Sequence, residues 1–333
     1  MCRGSRFRIS VSIKDLLGSN FERQYVHLVE RMNGSRSRAD DEAFDALCDW
    51  IIEPCTRRFR ELAPSAPSPM DLTLQTFFYP PVYALKLVVS DGSLCAEYLP
   101  NDAPESPEGL MIPTNTVPRH QQVSQLKASD LRIVPTGKPD DDPFSNVPQR
   151  VCTADAVLLF FKPAFHRSQF IREGEIQAKI TKAGLRGKIR VSNLRGVVVS
   201  EDASMIIGSV FDLIPSLACN LHSQVYIQAR QHHDKWEQQV RKTIKELHAH
   251  GIVWGDVHPG NIVIDLKSDA WSVDFGGGCV EEFIDRKNVE TEEGDWQGVR
   301  NIFQDWIRRR SGEGAEERSE NVLFKMRRQV LVR

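Results

Sequence analysis

Residues His250–Gly278 read HGIVWGDVHPGNIVIDLKSDAWSVDFGGG, and the spacing inside this stretch decides the fold. Gly251 closes the helix that precedes it, since glycine is the residue that best adopts the left-handed helix-ending conformation. Asp256 and Asn261 follow, five positions apart, on a loop leading into two short apolar strands, Ile262-Val263-Ile264 and Trp271-Ser272-Val273. A hairpin of those strands brings Asp274-Phe275-Gly276 back beside the loop, so three oxygen-bearing side chains converge at one end of a small sheet. That arrangement suits phosphoryl transfer: one carboxylate orients an attacking hydroxyl, while an amide oxygen and a second carboxylate hold Mg2+ on nucleotide phosphates. Singly, Asp256, Asn261 and Asp274 are also ordinary turn formers. The ordered set, after a glycine-capped helix and before a helix near Asp295, is what points to chemistry.

The set resembles the protein-kinase-like superfamily. Asp256-x4-Asn261 looks like its catalytic loop and Asp274-Phe275-Gly276 like its metal-binding Asp-Phe-Gly. More narrowly, the Gly255-Asp256-x-His258-Pro259-Gly260-Asn261 form, the Asp274-Phe275-Gly276-Gly277-Gly278 run and a threonine followed by Gly294-Asp295 resemble fungal proteins described only as protein kinase-like. The likeness covers roughly residues 126–310 in ordered sequence. It implies an α+β, bilobal protein kinase-like fold, with a small β-rich N-lobe at 126–213 and a short, mainly helical C-lobe at 214–333. Residues 1–125 form an N-terminal accessory segment of helix, β-hairpin and Pro/Ser-rich linker.

The implied activity is ATP- and Mg2+-dependent transfer of a phosphoryl group to a hydroxyl, on a protein Ser/Thr or on a small molecule. Lys162 ends the apolar run Ala156–Phe161, as the family's phosphate-gripping lysine should, and Glu173 lies eleven residues on, in the next helix. Glu175 competes for the lysine but projects about 200° around the helix from Glu173, so both cannot face one cleft. In this reading Asp256, Lys162 and Glu173 are catalytic. Lys162, Phe160, Gly208, Asn261 and Asp274 bind nucleotide, and Asn261 and Asp274 hold the metal. The resemblance also implies that the Asp295 carboxylate accepts backbone N–H bonds from the catalytic loop; the same residue is a charge that suits a helix N-terminus. A pseudokinase, binding nucleotide or a protein partner without turnover, is the alternative from another class.

Four departures from the family pattern bear on that choice. No glycine-rich loop precedes the strand of Lys162, where the chain reads FSNVPQRV from Phe144 to Val151. Phe160 stands where a small residue is preferred over the adenine; strand alternation puts it on the Lys162 face. Gly255 replaces the arginine that pairs with a phosphorylated activation loop, and only twenty residues separate Asp274 from Asp295. In the last two features the chain resembles aminoglycoside and choline phosphotransferases, whose acceptors are small molecules. Gly276-Gly277-Gly278 reads as mobility after the metal aspartate, and His258 as a residue that shapes its loop. His232-His233 read as solvated residues beside a helix start, and Asp140-Asp141-Asp142 as a solvated loop.

Outward from this centre, apolar residues from Phe44 to Leu62 recur at helical steps on one long helix, within an N-terminal stretch that is helical in pattern. The breaker Pro64-Ser65-Ala66-Pro67-Ser68-Pro69 ends it. Leu72–Tyr79 and Val82–Leu99 read as strands, the second folded at Ser90-Asp91-Gly92-Ser93, and residues 100–125 as a linker. Strands are expected at 131–134, 151–162, 194–199 and 205–211, and helices at 166–183, around Trp236–Leu247 and from about Asp295 with Trp296, Val299, Ile302, Phe303 and Trp306 as its stripe. The 333 residues are 41% hydrophobic and 26% charged, the composition of a globular chain of two or three units. A net charge of −2 argues against a nucleic-acid partner, and no apolar run reaches a membrane span. Seven scattered cysteines and no secretory h-region point to reduced thiols and an intracellular, cytoplasmic setting, with the nucleus left open.

Overall fold

A two-residue turn, Asp91-Gly92 with φ of 49° and 73°, folds residues 82–98 into the hairpin that the sequence predicts. The computed structural model describes residues 2–33, 38–65, 68, 72–100, 112–117, 123–135, 144 and 146–312. They are mixed α+β and pack as two units, Met1–Gly109 with Pro135–Pro148, and Leu110–Val134 with Gln149–Arg333. Asp140-Asp141-Asp142 and most of the expected linker lie outside the described residues.

The first unit runs β1 (Arg6–Ser10), α1 (Ile13–Leu16), α2 (Asn20–Asn33), α3 (Arg38–Ile52), α4 (Thr56–Leu62), α5 (Leu74–Phe78), β2 (Val82–Ser90) and β3 (Ser93–Tyr98). Its sheet has the order β1-β2-β3, with β1 parallel to β2. Phe7 and Ile9 alternate inward from β1 onto Leu85, Leu87 and Cys55, a period-two signal inside a stretch read as helical. The expected long helix is broken by Pro54 into α3, a 3-10 turn at Glu53–Cys55, and α4, because proline donates no N–H to the helical ladder. Leu72–Tyr79, expected as a strand, is instead the start and body of α5. Thr73 and Thr76 exchange side-chain-to-backbone bonds of 3.2 and 2.9 Å in a capping box, which stabilises a helix start against the β-propensity of Phe77, Phe78 and Tyr79.

The second unit contains β4 (Ile112–Pro113), β5 (Gln125–Lys127), β6 (Arg132–Ile133), β7 (Arg150–Cys152), β8 (Leu158–Pro163), α6 (Arg167–Lys182), β9 (Leu194–Val199) and β10 (Met205–Asp212). They form one sheet of order β5-β9-β10-β8-β7-β6, with β4 also on β10. Residues from the expected linker therefore enter the sheet at β4 and β5, while Pro135, Phe144 and Asn146–Pro148 belong with the first unit. In β8 the buried Leu159 and Phe161 face the core, and the half-buried Phe160 and Lys162 share the opposite face.

The remainder is α7 (Gln224–Ile227), α8 (His233–His248), the hairpin β11 (Ile262–Ile264) and β12 (Ala270–Ser272), α9 (Glu292–Arg300) and α10 (Ile307–Gly312), the last two joined by a π-helical turn at Asn301–Trp306. Trp236, Val240, Ile244 and Leu247 line one face of α8 and pack with Phe275, Phe283, Val299, Ile302, Phe303 and Trp306. Each such side chain contributes about 1.5–3 kcal/mol by leaving water. This core seats the loop between α8 and β11. Gly251 has φ of 65°, the left-handed helix end expected of it. His233, expected in solvent, is buried, with Nε2 3.0 Å from the Tyr226 carbonyl, and burial lowers its pKa. All seven cysteines are free. Among the described residues no helix is long and apolar enough to cross a membrane.

Candidate functional site

Ile262 pairs with Ser272 across the β11–β12 hairpin, and the Val273 N–H donates to the Asn261 carbonyl at 3.0 Å. This register returns Asp274 to the loop that carries Asp256 and Asn261. Trp254 holds the two together: its indole N–H lies 3.0 Å from both the Val273 and the Asp274 carbonyl oxygens. Asp274 itself has φ of 58°, a left-handed conformation that Asp tolerates better than most residues.

Asn261 Nδ2 donates to the Asp256 carbonyl at 2.9 Å and to Asp256 Oδ2 at 3.2 Å, which leaves the amide oxygen as the end able to coordinate. Among the described residues, Asp256 Oδ1 is buried and has no hydrogen-bond partner. An orphaned buried acceptor normally costs about 1–3 kcal/mol and calls for a partner. Burial pushes the Asp256 pKa up, the nearby His258 opposes this, and the charge of Asp274 adds to it. His258 lies with Nε2 3.7 Å from Asp256 Oδ2, while its Nδ1 accepts the Gly260 N–H at 3.1 Å, so the loop-shaping role expected of it has a geometric basis.

Lys162 Nζ stands 2.7 Å from Glu173 Oε2 and 2.7 Å from Asp274 Oδ1. Burial works against the ammonium charge, but the two carboxylates outweigh it and raise the Lys162 pKa. Glu173 is buried on α6 and also accepts the Phe275 N–H at 3.2 Å, whereas Glu175 is exposed and takes no part. Ile176 and Ile180 bury the same helix side. Among the described residues no cluster of three or more His, Cys, Asp or Glu could hold a metal. Asn261 with Asp274 is a smaller donor set, one amide and one carboxylate, of the kind Mg2+ accepts when it keeps waters and phosphate oxygens.

Asp295 is fully buried and receives the Trp254 and Gly255 N–H groups at 2.8 and 2.7 Å, with His248 Nε2 also 2.8 Å away. It anchors the loop from below. The helix around it begins earlier than expected, because Thr291 caps α9 by accepting the Gly294 N–H at 3.0 Å. Gly208 sits on β10 opposite Pro163 of β8. A Cβ there would meet the Lys162 carbonyl at 2.3 Å and the Phe161 ring at 2.6 Å, so its small size serves the contact between β10 and β8. The glycine run after Phe275 is also a packing feature: a Cβ at Gly278 would meet Asp256 Oδ2 at 2.5 Å. Sequence reasoning misses Trp254 and Arg172. Only the placement of Trp254 next to Gly255-Asp256 hints at the first; nothing local marks the second, which acts across 82 and 103 residues.

No family model matches the chain, and no curated protein matches it.

Proposed function

We propose that the second unit is a bilobal, protein kinase-like phosphotransferase, which uses ATP and Mg2+ to phosphorylate a hydroxyl of a protein or a small molecule. The observation that carries this reading is the joining of Glu173, Lys162 and Asp274 by two 2.7 Å contacts, although 11 and 112 residues separate the partners. A half-buried ammonium between a helix carboxylate and a carboxylate beside Asn261 suits gripping a phosphate next to a metal. Asp256, with one buried oxygen unpartnered, orients the acceptor hydroxyl and takes its proton. Bound Mg2+ would be held by Asn261 and Asp274 and would neutralise developing phosphate charge. Lys162 stays charged throughout and, held by Glu173 and Asp274, has one N–H left to turn to a phosphate oxygen.

Thermal-shift titration with ATP, with and without Mg2+, tests the reading. At a hundredfold excess over Kd, binding should add about 2.7 kcal/mol of stability to the wild type. The Mg2+-dependent part should vanish in Asp274→Ala. A wild type that gains nothing from Mg2+-ATP would sink the proposal.

Replacement of Phe160 separates enzyme from pseudokinase, because its ring can either stack on a purine or block the site. It shares a face with Lys162 and is half-buried. Stacked on a purine, the ring contributes ~0.5–1.5 kcal/mol beyond its buried area. Phe160→Ala should then weaken ATP several-fold in calorimetric titration; tighter binding by the alanine variant would support the blocked, pseudokinase reading instead.

A further inference from the structure

Arg172 precedes Glu173 on α6, and the two side chains take the two halves of one peptide residue. Glu173 accepts the Phe275 N–H at 3.2 Å, while Arg172 Nη1 donates to the Phe275 carbonyl. The same guanidinium reaches the catalytic loop, with Nη1 3.1 Å from the Trp254 carbonyl and Nη2 3.4 Å from that of Val253. Its Nε lies 3.3 Å from Glu290 Oε1. One planar fork thereby joins a helix, the loop before Asp256, the Asp-Phe-Gly run and the end of the segment that follows it.

Two glycines make room for it. Gly255, with φ of 87°, would place a Cβ 2.4 Å from Arg172 Nη2. Gly277, with φ of 79°, would place one 2.4 Å from Glu290 Oε1 and 3.1 Å from Arg172 Cδ. Neither clash falls on solvent. Glu290 holds φ of 55°, a conformation a non-glycine residue keeps only where its surroundings fix it. The hydroxyl of Thr291, next in the chain, is engaged in both directions, donating to the Asn288 carbonyl at 2.7 Å and accepting from Gly294.

We infer that Arg172 is a positioning residue which, with Glu290, clasps the catalytic loop and the Asp-Phe-Gly run to α6. The site is therefore set by a permanent carboxylate and needs no phosphorylation. This assignment of a regulatory state rests on the phosphotransferase reading; the clasp itself rests on geometry alone.

Hydrogen exchange on the full chain tests it. In Arg172→Gln, amides at 253–257 and 275–278 should exchange about tenfold faster or more, while those of α8 at 236–247 stay as in the wild type. Arg172→Lys should restore little of this, because one ammonium cannot span three carbonyls and a carboxylate. Turnover of Mg2+-ATP should lose about tenfold in kcat with KM for ATP held within roughly threefold. Phosphatase treatment of the wild type should leave exchange at both segments unchanged. Should Arg172→Gln fail to fold, Glu290→Gln keeps a bonding oxygen, removes the charge, and should loosen 275–278 several-fold. Unchanged exchange at both segments in a folded variant, full rescue by lysine, or loosening after phosphatase would each overturn the inference. A wild type that ignores Mg2+-ATP would end the phosphotransferase reading while the exchange result still decided the clasp.

Discussion

Asp295→Ala should lower the melting temperature by roughly 10 °C or more. The carboxylate is fully buried and is the acceptor for two backbone N–H groups, those of Trp254 and Gly255, with His248 beside it. Truncation leaves two amides and an imidazole without their partner in a site that water does not reach, and each hydrogen bond to a charged acceptor is worth about 1.5–3 kcal/mol. Asp295→Asn keeps one carbonyl oxygen for two donors and should fall between the two. Differential scanning calorimetry of the three proteins measures the order. A drop of less than about 3 °C in the alanine variant would mean that the loop holds its shape without this anchor.

Asp256→Asn should reduce turnover by about 10²–10⁴-fold and, in the same molecule, raise stability. Its folded pKa is raised by burial, so ionised Asp256 opposes folding at neutral pH, and that cost disappears as pH falls through the folded value. The amide retains an oxygen for Asn261 while removing the charge that burial and Asp274 both disfavour. Relief of ~1 kcal/mol corresponds to roughly 2–4 °C in a unit of this size. Rapid-quench measurement of phosphate transfer, paired with thermal melts at neutral pH, checks both halves. A variant that is slower and also less stable would place Asp256 among the structural carboxylates.

Short, ordered motifs are the legible part of this chain. Asp256, Asn261, Asp274, Lys162 and Glu173 have charged or amide side chains and lie at spacings that a hairpin or one strand–helix pair closes, so local reasoning can bring each subset together. Asp295 is legible only through the family resemblance, since its partners are backbone N–H groups 40 and 41 residues away. Arg172 is not, because its partners are main-chain carbonyls, which have no sequence signature. The glycines that admit it look like flexibility when they are sites of close approach. In the first unit, Thr73 and Thr76 outweigh the strand preference of their aromatic neighbours through a pair of bonds that composition does not reveal. Pro54 is visible as a breaker, yet it stands inside a helical stripe regular enough to hide it.

The chain passes between its two units three times, after Gly109, after Val134 and after Pro148. Two modules threaded in this manner cannot be parted by one cut. A protein trimmed to begin at Leu110 would carry Phe144 away from the part of the chain it packs with, since its ring stacks on Phe77 at 6.1 Å with an interplanar angle of 3°. Such stitching makes the N-terminal part an inheritance that the rest cannot easily shed: recombination at a single point would exchange neither module intact.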